Sequence, residues 1–190
     1  LINWSLNEYA FGSEERLTNL NPLFFDNSIF DFYSSLFTGA CLVPFSREDL
    51  KNPFKLVQQI KKKKCTSWFS VPSFLIYMQT MNVFKHDSLP DIKRFIFGGE
   101  GYVKSKLVKL YKLYGKQASL YNVYGPTECT CICSSYELSD NDFEDLNGLP
   151  PLGSIANNFD YIICDSNNNH VRADEIGDLL LICDNVGWGY

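Results

Sequence analysis

Several features are scarce in this 190-residue sequence. None of the seven cysteines forms a C-x-x-C pair, and the two histidines, His86 and His170, stand at no ligand spacing from them. A zinc site is therefore disfavoured, and an odd number of thiols points to reduced cysteines in a cytoplasmic protein. Basic residues are outnumbered, 17 against 22 acidic ones, for a net charge of -5. That balance argues against nucleic acid or an anionic membrane as the main partner. The run Lys61-Lys62-Lys63-Lys64 is the exception. It closes a helix that Asn52-Pro53 opens, where the dipole favours cations, so it reads as a solvated helix end. No apolar run is long enough to span a bilayer, and no signal peptide is visible at the start. There is neither a Walker loop nor G-x-G-x-x-G, no internal repeat, and no low-complexity stretch beyond Ser166-Asn167-Asn168-Asn169.

What is present is apolar and aromatic, 45% and 15% of the residues, enough for one sizeable core. The first twenty residues, with Trp4, Leu6, Tyr9 and Phe11, follow no single period. Beyond them the pattern predicts strands at 20–25, 40–45, 66–71, 93–97 and 118–123. Helices are expected at 28–38, from Pro53 onward, at 72–81 and at 103–114, with Gly39 and Gly115 as stops. Ser28-x-x-Asp31 resembles a capping box with Asp in place of Glu. Such alternation implies an α/β fold, a mostly parallel sheet flanked by helices. After Glu128 the texture changes. Residues 129–136 alternate like a strand, which puts the small thiols of Cys129, Cys131 and Cys133 on one face. An acidic, Gly/Pro-punctuated loop follows at 139–151, then a hairpin from 159–164 and 177–183. We expect an α/β subdomain at 1–136 and a β-rich extension at 137–190.

The densest chemistry lies in Tyr121-Asn122-Val123-Tyr124-Gly125-Pro126-Thr127-Glu128. A β-favouring run stops at Gly125-Pro126, so polar groups are delivered at the end of a strand, where open α/β sheets place ligands. Tyr124 offers a flat face for a purine, Asn122 an amide for a base edge, and Gly125 a backbone without Cβ. Thr127 supplies a hydroxyl for a phosphate oxygen. Glu128 is a hard oxygen ligand suited to the Mg²⁺ that accompanies ATP. Asp26, taken by residue type alone, reads as a helix cap.

This octapeptide closely resembles the N-x-Y-G-P-T-E signature of adenylate-forming enzymes, which include acyl- and aryl-CoA ligases, luciferases and the adenylation domains of peptide synthetases. Phe25-Asp26-Asn27-Ser28 resembles the family's F-D-x-S motif and Phe97-Gly98-Gly99-Glu100 its G-G-E turn. The stretch from Gly177 to Ile182, with Gly187-Trp188-Gly189-Tyr190, resembles its G-E-L-x-I…V-A-R-G-Y segment. Within the superfamily the likeness is greatest to D-alanine-activating ligases and amino-acid adenylation domains. The resemblance makes Asp26 the partner of a substrate α-ammonium. It makes Asn27, Phe30, Phe69, Ile96, Gly98, Val123, Cys131 and Ile132 a side-chain pocket. Gly99, Glu100, Asn122, Val123, Tyr124, Gly125 and Thr127 become the nucleotide set, Thr127 and Glu128 the catalytic pair, and Glu128 the metal ligand.

The implied reaction is ATP- and Mg²⁺-dependent adenylation of an amino acid, followed by transfer to a carrier-protein thiol. Alanine-type relatives carry cysteine where Gly98 stands and a small residue where Phe69 stands, so one wall should open and another refill. A small or medium uncharged amino acid follows, with chirality open. The family's phosphate loop, ribose-binding aspartate and C-terminal lysine domain have no counterpart here, so the stretch resembles the middle of a larger enzyme and should be inactive alone. Asp178, Asp184, Gly187-Trp188 and Ser154 depart from the family pattern. Two other readings stay open, a ligase forming acyl- or aryl-CoA and a non-catalytic nucleotide-binding module.

Overall fold

The computed structural model describes residues 1–189, so Tyr190 of the last motif lies outside the described residues. In chain order, α1 (Ile2–Tyr9) precedes β1 (Arg16–Asn19), and α2 (Asn27–Thr38) leads into β2 (Cys41–Pro44). The short α3 (Arg47–Leu50) and α4 (Pro53–Lys62) feed β3 (Ser67–Ser70), followed by α5 (Pro72–Thr80), β4 (Arg94–Gly98), α6 (Lys104–Tyr114) and β5 (Ser119–Tyr124). Then come β6 (Ser134–Glu137), β7 (Ser154–Ile155) and a separate antiparallel pair, β8 (Asp160–Cys164) with β9 (Asp178–Ile182). The large sheet runs β2-β1-β3-β4-β5-β6-β7; the first five strands are parallel, and β6 and β7 are antiparallel to their neighbours. Because β1 and β3 lead to opposite edges, the sheet has a switch point between them, where α/β folds open a crevice at the strand ends.

Strand alternation divides the apolar side chains between two layers. Trp68, Phe95 and Leu120 are cross-strand neighbours on one face, packed with Leu56 and Ile60 of α4, Leu75 of α5 and Leu107 of α6. Phe69, Ile96 and Tyr121 form the next row, face the other way and meet Tyr9, Phe11 and Phe30. Local signals set the helix ends. Gly39 is left-handed at φ 73° after α2, and the Asn52 side chain accepts from the Lys55 N–H at the start of α4, with Pro53 in the first turn. At the opening edge of the sheet, Glu15 pairs with Lys93 at 2.8 Å and Arg94 at 3.2 Å. Burial pushes the Glu15 carboxyl up, but hydrogen bonds from Lys93 and Thr66 and the Arg94 charge outweigh it, so it ionises below the usual glutamate range.

The structure corrects four expectations. The strand expected at 20–25 is not there; β1 lies just before it, because Pro22 lacks an N–H for a ladder and Leu23, Phe24 and Phe25 stand exposed. The ambiguous start contains α1. Ser28 does not cap α2 but donates its hydroxyl to the Phe25 carbonyl at 2.8 Å, and Asp31 is buried in the core, so there is no capping box. Residues 129–136 are not one strand. A 3-10 turn over Thr127–Cys129 is followed by left-handed Thr130 (φ 64°) and Cys131 (φ 75°), and only Ser134–Glu137 is extended. The three thiols consequently part, Cys131 into the layer under α2, Cys129 and Cys133 into a third cluster with Ala156 and Phe159.

The cysteines are all free thiols. Among the described residues no helix is long and apolar enough to cross a membrane. The outer side of α2 and the loop before it expose Leu23, Phe24, Phe25, Phe32, Leu36 and Phe37.

Candidate active site

The crevice at the switch point is a cavity of about 920 Å³. Its walls come from the ends of four parallel strands: Leu20 and Asn21 after β1, Ser70 and Val71 at β3, Gly99 to Tyr102 after β4, and Asn122 to Thr127 at β5. Asp26 and Asn27 at the start of α2 close one side, and Leu149, Pro150 and Leu152 of the long return loop close another. Residues separated by some 130 positions in sequence thus share one volume, since parallel strands bring all their C-terminal ends to one edge.

Each side chain is held by local geometry. Asp26 occupies the N-cap position of α2 without making a cap hydrogen bond. Asn122 is buried and donates from Nδ2 to the Pro151 carbonyl at 2.8 Å, which fastens the return loop to β5. Glu100 accepts from the Ser73 N–H at 3.0 Å and the Ser73 hydroxyl at 3.1 Å, so it lines the cavity while capping the first turn of α5. Gly99 sits at φ 87°, a conformation that only glycine adopts at little cost. Gly125 is required for another reason: a Cβ there would overlap the Cys131 carbonyl and the Ile132 backbone. Burial, then the nearby Cys133, Cys129 and Glu128 charges, push the Tyr124 phenol up, so it stays neutral and keeps its O–H.

Thr127 opens the 3-10 turn and lines the cavity; Glu128 follows it, exposed, with its backbone carbonyl accepting from the Gly187 N–H at 2.6 Å. The residues expected to form a side-chain pocket divide. Asp26, Asn27 and Val123 line the cavity, whereas Phe30, Phe69, Ile96, Cys131 and Ile132 lie beneath it as a closed cluster. Phe30 and Phe69 meet edge to face at 5.0 Å between ring centres and fill the space. Gly98 does not open a wall, because Val123 already occupies the place of its missing side chain.

Sequence reasoning missed Asn21, whose Nδ2 donates to Asp31 Oδ2 at 3.3 Å and to the Phe69 carbonyl at 3.2 Å. The dipeptide Asn21-Pro22 was its signal, a turn marker in what looked like a strand. Asp31 is buried with no cation beside it among the described residues; burial raises its carboxyl well above the usual range despite the hydrogen bond from Asn21. Leu149, Pro150 and Leu152 had no signal beyond a proline-rich loop.

Comparison with known proteins bears on what this cavity is. The chain is 31% identical over 189 residues to a D-alanine--D-alanyl carrier protein ligase of Listeria monocytogenes serotype 4a (strain HCC23), covering 99% of this chain and 37% of that protein. It is 29% identical over 188 residues to the ligase of the same name from Bacillus velezensis, with the same two coverages. The chain thus spans 37% of the length of these relatives. Among solved structures, IdnL1 superposes with a TM-score of 0.87 at 22% identity, over 100% of this chain and 38% of that one. An NRPS protein containing adenylation and PCP domains superposes at 0.83 and 22%, over 95% of this chain and 30% of that one. These likenesses show a shared fold. The model of the family described as AMP-binding enzyme matches residues 2–190, and the chain belongs to that family.

Proposed function

We propose that the protein of which this chain forms part adenylates a small or medium uncharged amino acid and passes the aminoacyl group to a carrier-protein thiol. A carboxylate oxygen of the amino acid attacks the α-phosphorus of ATP, the bond to the β-phosphate oxygen breaks, and pyrophosphate leaves. The observation that carries this reading is the charge of the cavity. Asp26 and Glu100 line it, and among the described residues no Lys, Arg or His does. A carboxylate at the mouth of a largely apolar crevice is costly alone and much less so with an ammonium at hydrogen-bond distance, which favours an amino acid over a simple fatty acid. The names of the ligase relatives, which specify D-alanine and a carrier protein, support the same substrate class and acceptor.

ATP fits the nucleotide set by the chemistry of its groups: the Tyr124 ring for the base, the Asn122 amide for its edge, the Thr127 hydroxyl for phosphate. Magnesium fits Glu128, since Mg²⁺ is commonly held by one or two carboxylates together with substrate phosphates; when bound it neutralises charge on the transferring phosphates. The division into 1–136 and 137–190 belongs to the same proposal, as does a cytoplasmic setting, which the free thiols support.

The test is ATP-pyrophosphate exchange by the full-length protein across amino acids, fatty acids and aryl acids. Exchange led by a small or medium uncharged amino acid is expected, and the 190-residue chain alone should show none. A preference for fatty or aryl acids overturns the role given to Asp26, and exchange by the chain alone shows that the catalytic groups have been misplaced.

A further inference from the structure

Outside the cavity, three thiols on three separate segments share one cluster. Cys129 ends the 3-10 turn that carries Thr127 and Glu128, Cys133 immediately precedes β6, and Cys183 immediately follows β9. Cys129 and Cys133 are buried and Cys183 is half-buried, the only one of the three with appreciable access to solvent. The segment after β9 is fastened to the turn from both sides. The Gly187 N–H donates to the Glu128 carbonyl at 2.6 Å, and the Thr130 hydroxyl reaches the Asn185 carbonyl at 3.5 Å. The Asn185 N–H donates to Cys183 Sγ at 3.2 Å, which orients that sulfur. Cys133 is tied elsewhere, its N–H donating to the Tyr124 carbonyl, and its side chain is wholly buried.

We propose that Cys129 and Cys183 are a thiol pair that a low-molecular-weight disulfide oxidises to an intrachain disulfide. The bond fastens the β8–β9 hairpin to the turn bearing Thr127 and Glu128. The accessible Cys183 reacts first. Its sulfur attacks one sulfur of oxidised glutathione, the glutathione S–S bond breaks, and one glutathione thiol leaves. Cys129 then attacks the Cys183 sulfur of this mixed disulfide and expels the second glutathione, so two protein thiols are oxidised and one glutathione disulfide is reduced to two thiols. Cys129 is the resolving partner because its neighbours on both sides, Glu128 and Thr130, are the residues to which the 183–187 segment is bonded. The inference does not depend on the adenylation reading, since it concerns only which sulfurs join.

The test is incubation of the folded protein with oxidised glutathione, followed by non-reducing digestion and mass spectrometry. We expect a peptide pair joined through Cys129 and Cys183, with loss of three of the seven thiols, two in that bond and one at Cys41, and no joined peptide in Cys183→Ser. The exposed Cys41 serves as the control, expected to carry glutathione as a simple adduct. Amide hydrogen exchange over 127–130 should slow severalfold on oxidation and recover with a reductant. Cys183 halted at the glutathione adduct, a link that runs to Cys133, or unchanged exchange over 127–130 each overturns the proposal.

Discussion

The two ends of the parallel sheet solve opposite electrostatic problems. At the opening edge, the buried Glu15 is matched by Lys93 and Arg94, and nothing there calls for a ligand. At the closing edge, Asp26 and Glu100 line a cavity without a single cation among the described residues. The Asp26 carboxylate lacks even the cap bond its position offers. A matched edge is a structural feature, and an unmatched one is complementary to something cationic that arrives, an ammonium or a divalent metal on a phosphate chain. The difference between a scaffold end and a working end is therefore legible as a difference in charge pairing rather than in composition.

The largest expected effect at the working end is at Glu128. In the full-length protein, Glu128→Gln should lower turnover by on the order of a hundredfold while nucleotide affinity changes only a few-fold, because the charge it helps neutralise develops in the transition state. Exchange kinetics alongside calorimetric titration with ATP separate the two, and unchanged turnover removes Glu128 from the site. Asp26→Asn comes next. Loss of a charge-assisted hydrogen bond costs about 2 kcal/mol, so the KM for the amino acid should rise about thirtyfold. The KM for ATP should stay put; equal changes in both would mean that Asp26 only shapes the start of α2.

Two substitutions test the pairing itself through pH, with opposite signs. Asp31, buried with no cation beside it among the described residues, has its folded pKa raised, so the native state holds a proton that the unfolded chain releases. Wild-type stability should then fall by about 1.4 kcal/mol per pH unit as pH rises from the ordinary aspartate range towards the raised value. Asp31→Asn should remove that slope, which thermal unfolding at pH 4 and pH 7 would read as a relative gain for the variant at the higher pH. Glu15 has its folded pKa lowered, so its stabilisation is present above the ordinary glutamate range and lost as pH falls through the folded value. Glu15→Gln should cost on the order of 1 kcal/mol at pH 7, a modest figure because Lys93 is half-exposed, and nothing at a pH where both states are protonated. Two slopes of the same sign would refute the contrast.

Much of this was readable in the chain because local rules and tertiary fate agreed. Gly39, Asn52-Pro53 and the apolar runs of β3, β4 and β5 act in the fold as their local chemistry indicates. The misreadings fall where long-range contact decided. Residues 20–25 look like a strand by composition, yet their aromatic rings cover no core and the ladder ends at Asn19. Alternation at 129–136 suggested one face for three thiols, but two left-handed residues turn the chain between cysteines, and no periodicity reveals that. That Asn122 and Asp26 would stand at the strand and helix ends lining one cavity was legible from motif and position. Whether Phe30 and Phe69 line a wall or fill a floor depends on how their rings meet across two elements, which spacing does not encode.

The outward side of α2 also governs how the chain behaves as a colloid. Phe24 is 83% exposed and Leu23 79%, with Phe37, Leu36 and Phe32 along the helix beside them, a greasy strip on a particle whose net charge is only -5. At millimolar concentration, short-range attraction between such strips should overcome so weak a mutual repulsion, most readily once salt shortens the Debye length. Static light scattering on the 190-residue chain should give a negative second virial coefficient that turns positive when Phe24 and Leu36 are replaced by glutamate, which removes apolar surface and adds to the net negative charge. Crystallisation trials and storage buffers would then be chosen around that strip before any question of catalysis arises.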